Sequence, residues 1–117
     1  MSGSKKVLII DDETDLCLLL KDYFLRKHYD VSVSHTLKEG TELINALHPD
    51  ILFIDNNLPD GVGWAVAPII AAENPSIYFI LISAFHPPVP QMPKNARYMA
   101  IEKPISLADL NKEFAQW

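Results

Sequence analysis

The sequence predicts an α/β fold: a doubly wound, five-stranded parallel sheet with helices on both faces. Three observations carry that expectation. The runs "VLII" (7–10), "ILFI" (51–54) and "IYFILI" (77–82) are short, apolar throughout and without period-two alternation, as strands buried on both faces read. Segments with helical spacing separate them. Regular alternation of the two kinds implies a parallel sheet with right-handed crossovers.

Each element has its own signature. After "VLII", the residues Leu16, Leu19, Leu20, Tyr23 and Phe24 follow the spacing of one helix face, and Cys17 fills core on the same helix. "DVSVS" (30–34) alternates and reads as an edge strand. Thr36 with Glu39 forms a capping-box pattern ahead of Leu43, Ile44 and Leu47. A further helix is expected from about Gly63 to Glu73, kinked by Pro68 or confined by it to a late start. "RYMAI" (97–101) is the fifth strand. Ser106 with Asp109 repeats the capping signature before Leu107, Leu110 and Phe114.

One crossover breaks the pattern. "HPPVPQMP" (86–93) puts four prolines into eight positions where a fourth helix is due. Residues that precede proline are pushed out of the α region, which disqualifies His86, Pro87, Val89 and Met92. An extended, polyproline-like segment is expected to replace that helix.

A chain of 117 residues suits a single domain, 1–117, with residues 1–5 as a flexible tail. With 49% hydrophobic and 21% charged residues it can bury a core and is not disordered. No apolar run approaches the roughly 18 residues needed to span a bilayer, and "MSGSKK" leads into the first strand without a signal-type stretch. One cysteine excludes an internal disulfide and a cysteine-clustered metal site. A reducing cytoplasm is the expected location. A net charge of −5 gives no basic face for phosphate backbones, so neither nucleic acid nor membrane is an expected direct partner.

Ligands of open α/β sheets bind beyond the carboxyl ends of the strands. There the sequence places Asp11 and Asp12 after "VLII", Asp55 after "ILFI", Ser83 after "IYFILI" and Lys103 after "RYMAIE". Two carboxylates about 4 Å apart repel by roughly 4 kcal/mol at an effective dielectric of 20. Such a group either shares protons at raised pKa or holds a divalent cation; hard oxygen ligands favour Mg²⁺. A lysine and a serine hydroxyl opposite complete a site for a phosphoryl group, whether phosphate visits as substrate or attaches to a carboxylate.

Taken together, "VLIIDDE", "ILFIDNNLPDGVG", "ILISA" and "EKPIS" make nearly the whole chain similar to the receiver domains of bacterial two-component response regulators, the CheY-like family. The resemblance implies a flavodoxin-like sheet of order 2-1-3-4-5. It implies that Asp55 is the phosphoacceptor and receives a phosphoryl group from a sensor histidine kinase, a histidine phosphotransfer protein or a small acyl phosphate. Asp12 and Asp55 with the backbone carbonyl of Asn57 would hold Mg²⁺, with Asp11 acting through water. Lys103 would pair with the phosphoryl oxygens, Ser83 would swing toward them, and the Lys103–Pro104 peptide would be cis. Such a domain is a signalling switch rather than an enzyme on other substrates.

Two features depart from the family. Ala100 stands where an aromatic residue often couples the serine hydroxyl to the output surface; Tyr98 lies two residues earlier, on the same strand face, and the usual aromatic switch is read as absent. The proline segment replaces the fourth helix, so the output surface is expected to be unusual, read through the last helix or the proline-rich edge. The alternative reading is a pseudo-receiver, an interaction module that has lost switching. A phosphatase of the haloacid-dehalogenase type is disfavoured, because Glu13 stands where it needs a second aspartate. His28, His35, His48 and His86 are scattered and suggest no metal site. Trp64 reads as a packing residue, and Phe85 either overhangs the site or packs.

Overall fold

Two-sided burial organises the molecule, as the unbroken apolar runs require. The computed structural model describes residues 4–85 and 87–117. In chain order the elements are β1 (Lys6–Ile10), α1 (Thr14–Arg26), β2 (Asp30–Ser34), α2 (Leu37–Leu47), β3 (Ile51–Asp55), β4 (Asn57–Leu58), β5 (Gly61–Val62), α3 (Gly63–Glu73), β6 (Tyr78–Ser83), β7 (Arg97–Glu102) and α4 (Leu107–Phe114). Five parallel strands form one sheet in the order β2-β1-β3-β6-β7. This is the expected order, 2-1-3-4-5, counted over the strands of that sheet.

Strand side chains alternate between two apolar layers. Val7, Ile9, Ile51, Phe53, Ile80 and Ile82 face α1 and α4, meeting Leu16, Leu20, Phe24, Leu110 and Phe114. Leu8, Ile10, Leu52, Ile54, Phe79 and Leu81 face α2 and α3, meeting Ile44, Trp64, Ala67 and Ile70. Cys17 is buried in the first layer, as core filler.

The helix ends follow local chemistry. Ser106 Oγ accepts the Asp109 N–H at 3.1 Å and the Asp109 carboxylate accepts the Ser106 N–H at 2.9 Å, a complete capping box. At α2 only half of the box forms, with Thr36 Oγ1 accepting the Glu39 N–H at 3.2 Å. Asp60 supplies what is missing from a distant loop, accepting the Leu37 and Lys38 N–H groups at 2.7 and 2.9 Å. At the other end, α1 and α2 stop on His28 (φ 67°) and His48 (φ 51°), both in the left-handed region.

One detail of the third crossover differs from expectation, a small hairpin ahead of its helix. The helix itself spans Gly63–Glu73, the range expected, and runs through Pro68, without a late start. Its first residue is fixed from outside: the Gly63 N–H donates to the Asn56 carbonyl at 2.9 Å. A Cβ at residue 63 would clash with the Asp55 carbonyl and lie 3.0 Å from Ile54 Cγ1, so only glycine fits. The hairpin that precedes the helix pairs β4 with β5 antiparallel; its Pro59–Asp60 turn is the ordinary proline-first type.

No helix forms over residues 87–93; His86 lies outside the described residues. Pro87, Pro90 and Pro93 are half-buried, while Pro88 and Gln91 are exposed. That three-residue period is the one a polyproline helix has. Met92 and Ala96 pack against the second apolar layer, so the crossover covers part of the face a fourth helix would have taken. Lys5, assigned to the tail, is tied down: its carbonyl accepts the Asp30 N–H at 2.9 Å.

Candidate functional site

Strand register assembles the site. β1 and β3 are neighbours, with Ile10 level with Ile54, so the next residues, Asp11 and Asp55, emerge side by side. Carboxylate oxygens of Asp11, Asp12 and Asp55 all lie within 4.8 Å of one another. Asp11 and Asp55 are buried, Asp12 is exposed. Lys103 is anchored by its N–H donating to the Ser83 carbonyl at 2.8 Å. Its side chain then reaches across the strand ends, placing Nζ 3.0 Å from Asp11 Oδ2 and 3.6 Å from Asp55 Oδ1. The Lys103–Pro104 peptide is cis.

The electrostatics follow from that crowding. Burial, reinforced by the charge of Asp11, raises the pKa of Asp55 to about 6; Lys103 and the Asn57 N–H pull it the other way. Asp11 is also raised, by burial first, although its Oδ1 accepts the Glu13 N–H at 2.7 Å. For Lys103, burial opposes the charge, but hydrogen bonds to Glu13 and Asp11 outweigh it and hold the ammonium above its ordinary pKa. Asp11 Oδ2 faces the Lys103 ammonium at 3.0 Å and has no other partner. A buried carboxylate oxygen with spare acceptor capacity, beside two further carboxylates, fits a hard divalent cation.

Ser83 is buried at the end of β6, next to this group but not within it. Its hydroxyl accepts the Phe85 N–H at 3.1 Å. It lines a cavity of about 170 Å³ with Trp64, Phe85, Val89 and Ala100. Trp64 is buried and donates its indole N–H to the Ile54 carbonyl at 3.3 Å, the packing role expected. Phe85 is 72% exposed. Tyr98 shares the strand face of Ala100 and is partly exposed. His35 Nδ1 bonds the Asp11 carbonyl at 2.9 Å, steadying the backbone that carries the acidic pair.

Glu13 was not singled out by sequence as a site residue. It hydrogen-bonds Lys103 directly, across 90 positions. Asp60 was missed for a similar reason: its partners are 22 and 23 residues away.

An open parallel sheet with clustered carboxylates and a lysine at its carboxyl edge places a charged group where α/β proteins of this class bind their ligands. The comparisons with known proteins make this specific: residues 7–115 match the response regulator receiver domain, and the chain belongs to that family. It is 32% identical over 81 residues to the response regulator protein PilR of Pseudomonas aeruginosa, a match covering 69% of this chain but 18% of PilR. It is likewise 32% identical over 81 residues to the chemotaxis protein CheY of Thermotoga maritima, covering 68% of each. A CheY-like receiver domain from Methanospirillum hungatei has a similar structure, with a TM-score of 0.81 at 22% identity over 97% of this chain and 92% of that one. Among the described residues, no helix is long and apolar enough to cross a membrane.

Proposed function

We propose that this receiver domain accepts a phosphoryl group on Asp55 in a Mg²⁺-dependent reaction, from a histidine kinase or a histidine phosphotransfer protein, and signals by changing conformation. The observation that carries this reading is the convergence of Asp11, Asp12 and Asp55 within 4.8 Å, with the Lys103 ammonium 3.6 Å from Asp55. An Asp55 carboxylate oxygen attacks phosphorus, and the bond from phosphorus to the donor's imidazole nitrogen breaks. Lys103 neutralises charge on the equatorial oxygens, which is most of what phosphoryl transfer asks of a protein. Ser83 exchanges its bond to the Phe85 N–H for one to the phosphoryl group. Asp12, Asp55 and the Asn57 carbonyl would hold Mg²⁺, with Asp11 through water; the ion, when bound, relieves carboxylate repulsion and orients the phosphoryl oxygens.

The complete acidic pocket favours this reading over a pseudo-receiver. Cytoplasmic location and the absence of turnover on other substrates belong to the same proposal. The test is intact mass after incubation with Mg²⁺ and a small acyl phosphate. The wild-type chain is expected to gain one phosphoryl group and Asp55→Asn none; an equal gain in both removes Asp55 from its role.

A further inference from the structure

We propose that Glu13 is a positioning residue that competes with the incoming phosphoryl group for Lys103, and so sets how readily Asp55 is modified. The inference rests on the phosphoacceptor reading and deepens it.

Glu13 occupies the N-cap of α1, a position where a short polar side chain ordinarily accepts a helix N–H. Its side chain makes no such bond. It turns instead to Lys103 at the far end of the chain and hydrogen-bonds the ammonium. An ammonium has three N–H groups, and Lys103 has three carboxylates around it: Asp11 at 3.0 Å, Glu13, and Asp55 at 3.6 Å, beyond hydrogen-bond range. An ammonium drawn toward a phosphoryl group on Asp55 loosens its contact with one of the other two. Asp11 is fully buried and pinned by the Glu13 N–H, so it is held in place beside the ammonium. Asp55 carries the phosphoryl group itself. Glu13 is the partner that yields: its side chain is 56% exposed, so water takes over the hydrogen bond it gives up.

The pair is therefore weak enough to break and strong enough to matter. An ion pair of this exposure changes a competing equilibrium by roughly two- to fivefold.

Two variants separate reach from charge. Glu13→Gln removes the charge. Glu13→Asp keeps it but is one methylene short of Lys103, and aspartate at this position prefers to cap the helix. First, Lys103 is reductively methylated in the metal-free protein and the rate is followed by peptide mass; both variants are expected to react faster than wild type. Second, beryllofluoride, a phosphoryl mimic, is titrated at saturating Mg²⁺; both are expected to bind it two- to fivefold more tightly, while Mg²⁺ affinity stays level or falls. Unchanged methylation in either variant, unchanged or weaker beryllofluoride binding, or an effect confined to Glu13→Gln overturns the proposal. A wild-type chain that bound no beryllofluoride would remove the phosphoacceptor reading instead, and the methylation rates would still decide whether Glu13 restrains Lys103.

Discussion

Asp55 is a buried carboxylate kept at a cost to the fold. Its pKa is about 6, against an ordinary 3.8, because burial and Asp11 both oppose its charge. The folded state thus takes up a proton more readily than the unfolded chain. This contribution favours folding fully below about pH 4 and is lost as pH rises through about 6. At pH 7 the ionised group disfavours the metal-free fold by on the order of 2–3 kcal/mol relative to pH 4. Asp55→Asn should accordingly raise the stability of the metal-free protein at pH 7 by about 1–2 kcal/mol, with the gap closing toward pH 4. Urea unfolding at the two pH values reads this; a variant less stable than wild type at pH 7 contradicts it. At this scale the convergence of Asp11, Asp12, Asp55 and Lys103 could be read in advance, since each lies at the carboxyl end of a strand legible in the sequence. Glu13 and Asp60 could not, because what they do depends on which distant backbone or side chain the fold brings to them.

Among the elements, the helix stops are the least optimised. His28 and His48 sit at positive φ, where a side chain is strained and glycine is not. The His48 N–H closes the last turn of α2 on the Ile44 carbonyl at 3.0 Å, a bond that glycine keeps. Replacing the exposed His48 by glycine should stabilise the protein by up to about 1 kcal/mol; a lower denaturation midpoint would show the imidazole to be worth more than the strain. The apolar periodicity of α1 and the Ser106–Asp109 box transferred directly from sequence to structure, because both depend on neighbours three or four residues away. The β4–β5 hairpin was passed over despite its Pro-Asp-Gly turn, since two-residue strands leave no periodic trace. Pro68 lies inside α3, so a proline did not mark a helix boundary here.

For the molecule as a whole, the layer under α1 and α4 is tied together by rings. Phe114 meets Phe24 at 5.1 Å, Phe53 at 5.9 Å, Tyr78 at 6.2 Å and Trp117 at 5.9 Å. Its removal opens a cavity shared by a helix, two strands and the chain end, so Phe114→Ala should cost about 3–5 kcal/mol. Equilibrium urea denaturation measures it, and a loss below about 1 kcal/mol would mean the neighbouring rings collapse into the space. Composition and alternation made this architecture legible, along with the loss of the fourth helix. The way the prolines lie against the second layer was not, because burial of Pro87, Pro90 and Pro93 depends on the sheet beneath them.

The two tryptophans divide the molecule optically. Trp64 is buried at the carboxyl edge of the sheet, bonded to the residue before Asp55 and lining the Ser83 cavity. Trp117 lies at the other edge, stacked on Tyr78 at 5.4 Å with 8° between the planes, and has Lys5 over its ring. Emission from the first is expected to change when the acidic pocket is filled, and emission from the second to follow whether the chain end is docked; a Mg²⁺ titration read at the two tryptophans, one replaced by phenylalanine at a time, checks this. On that expectation the protein carries an indicator and a reference within one spectrum, with no label attached.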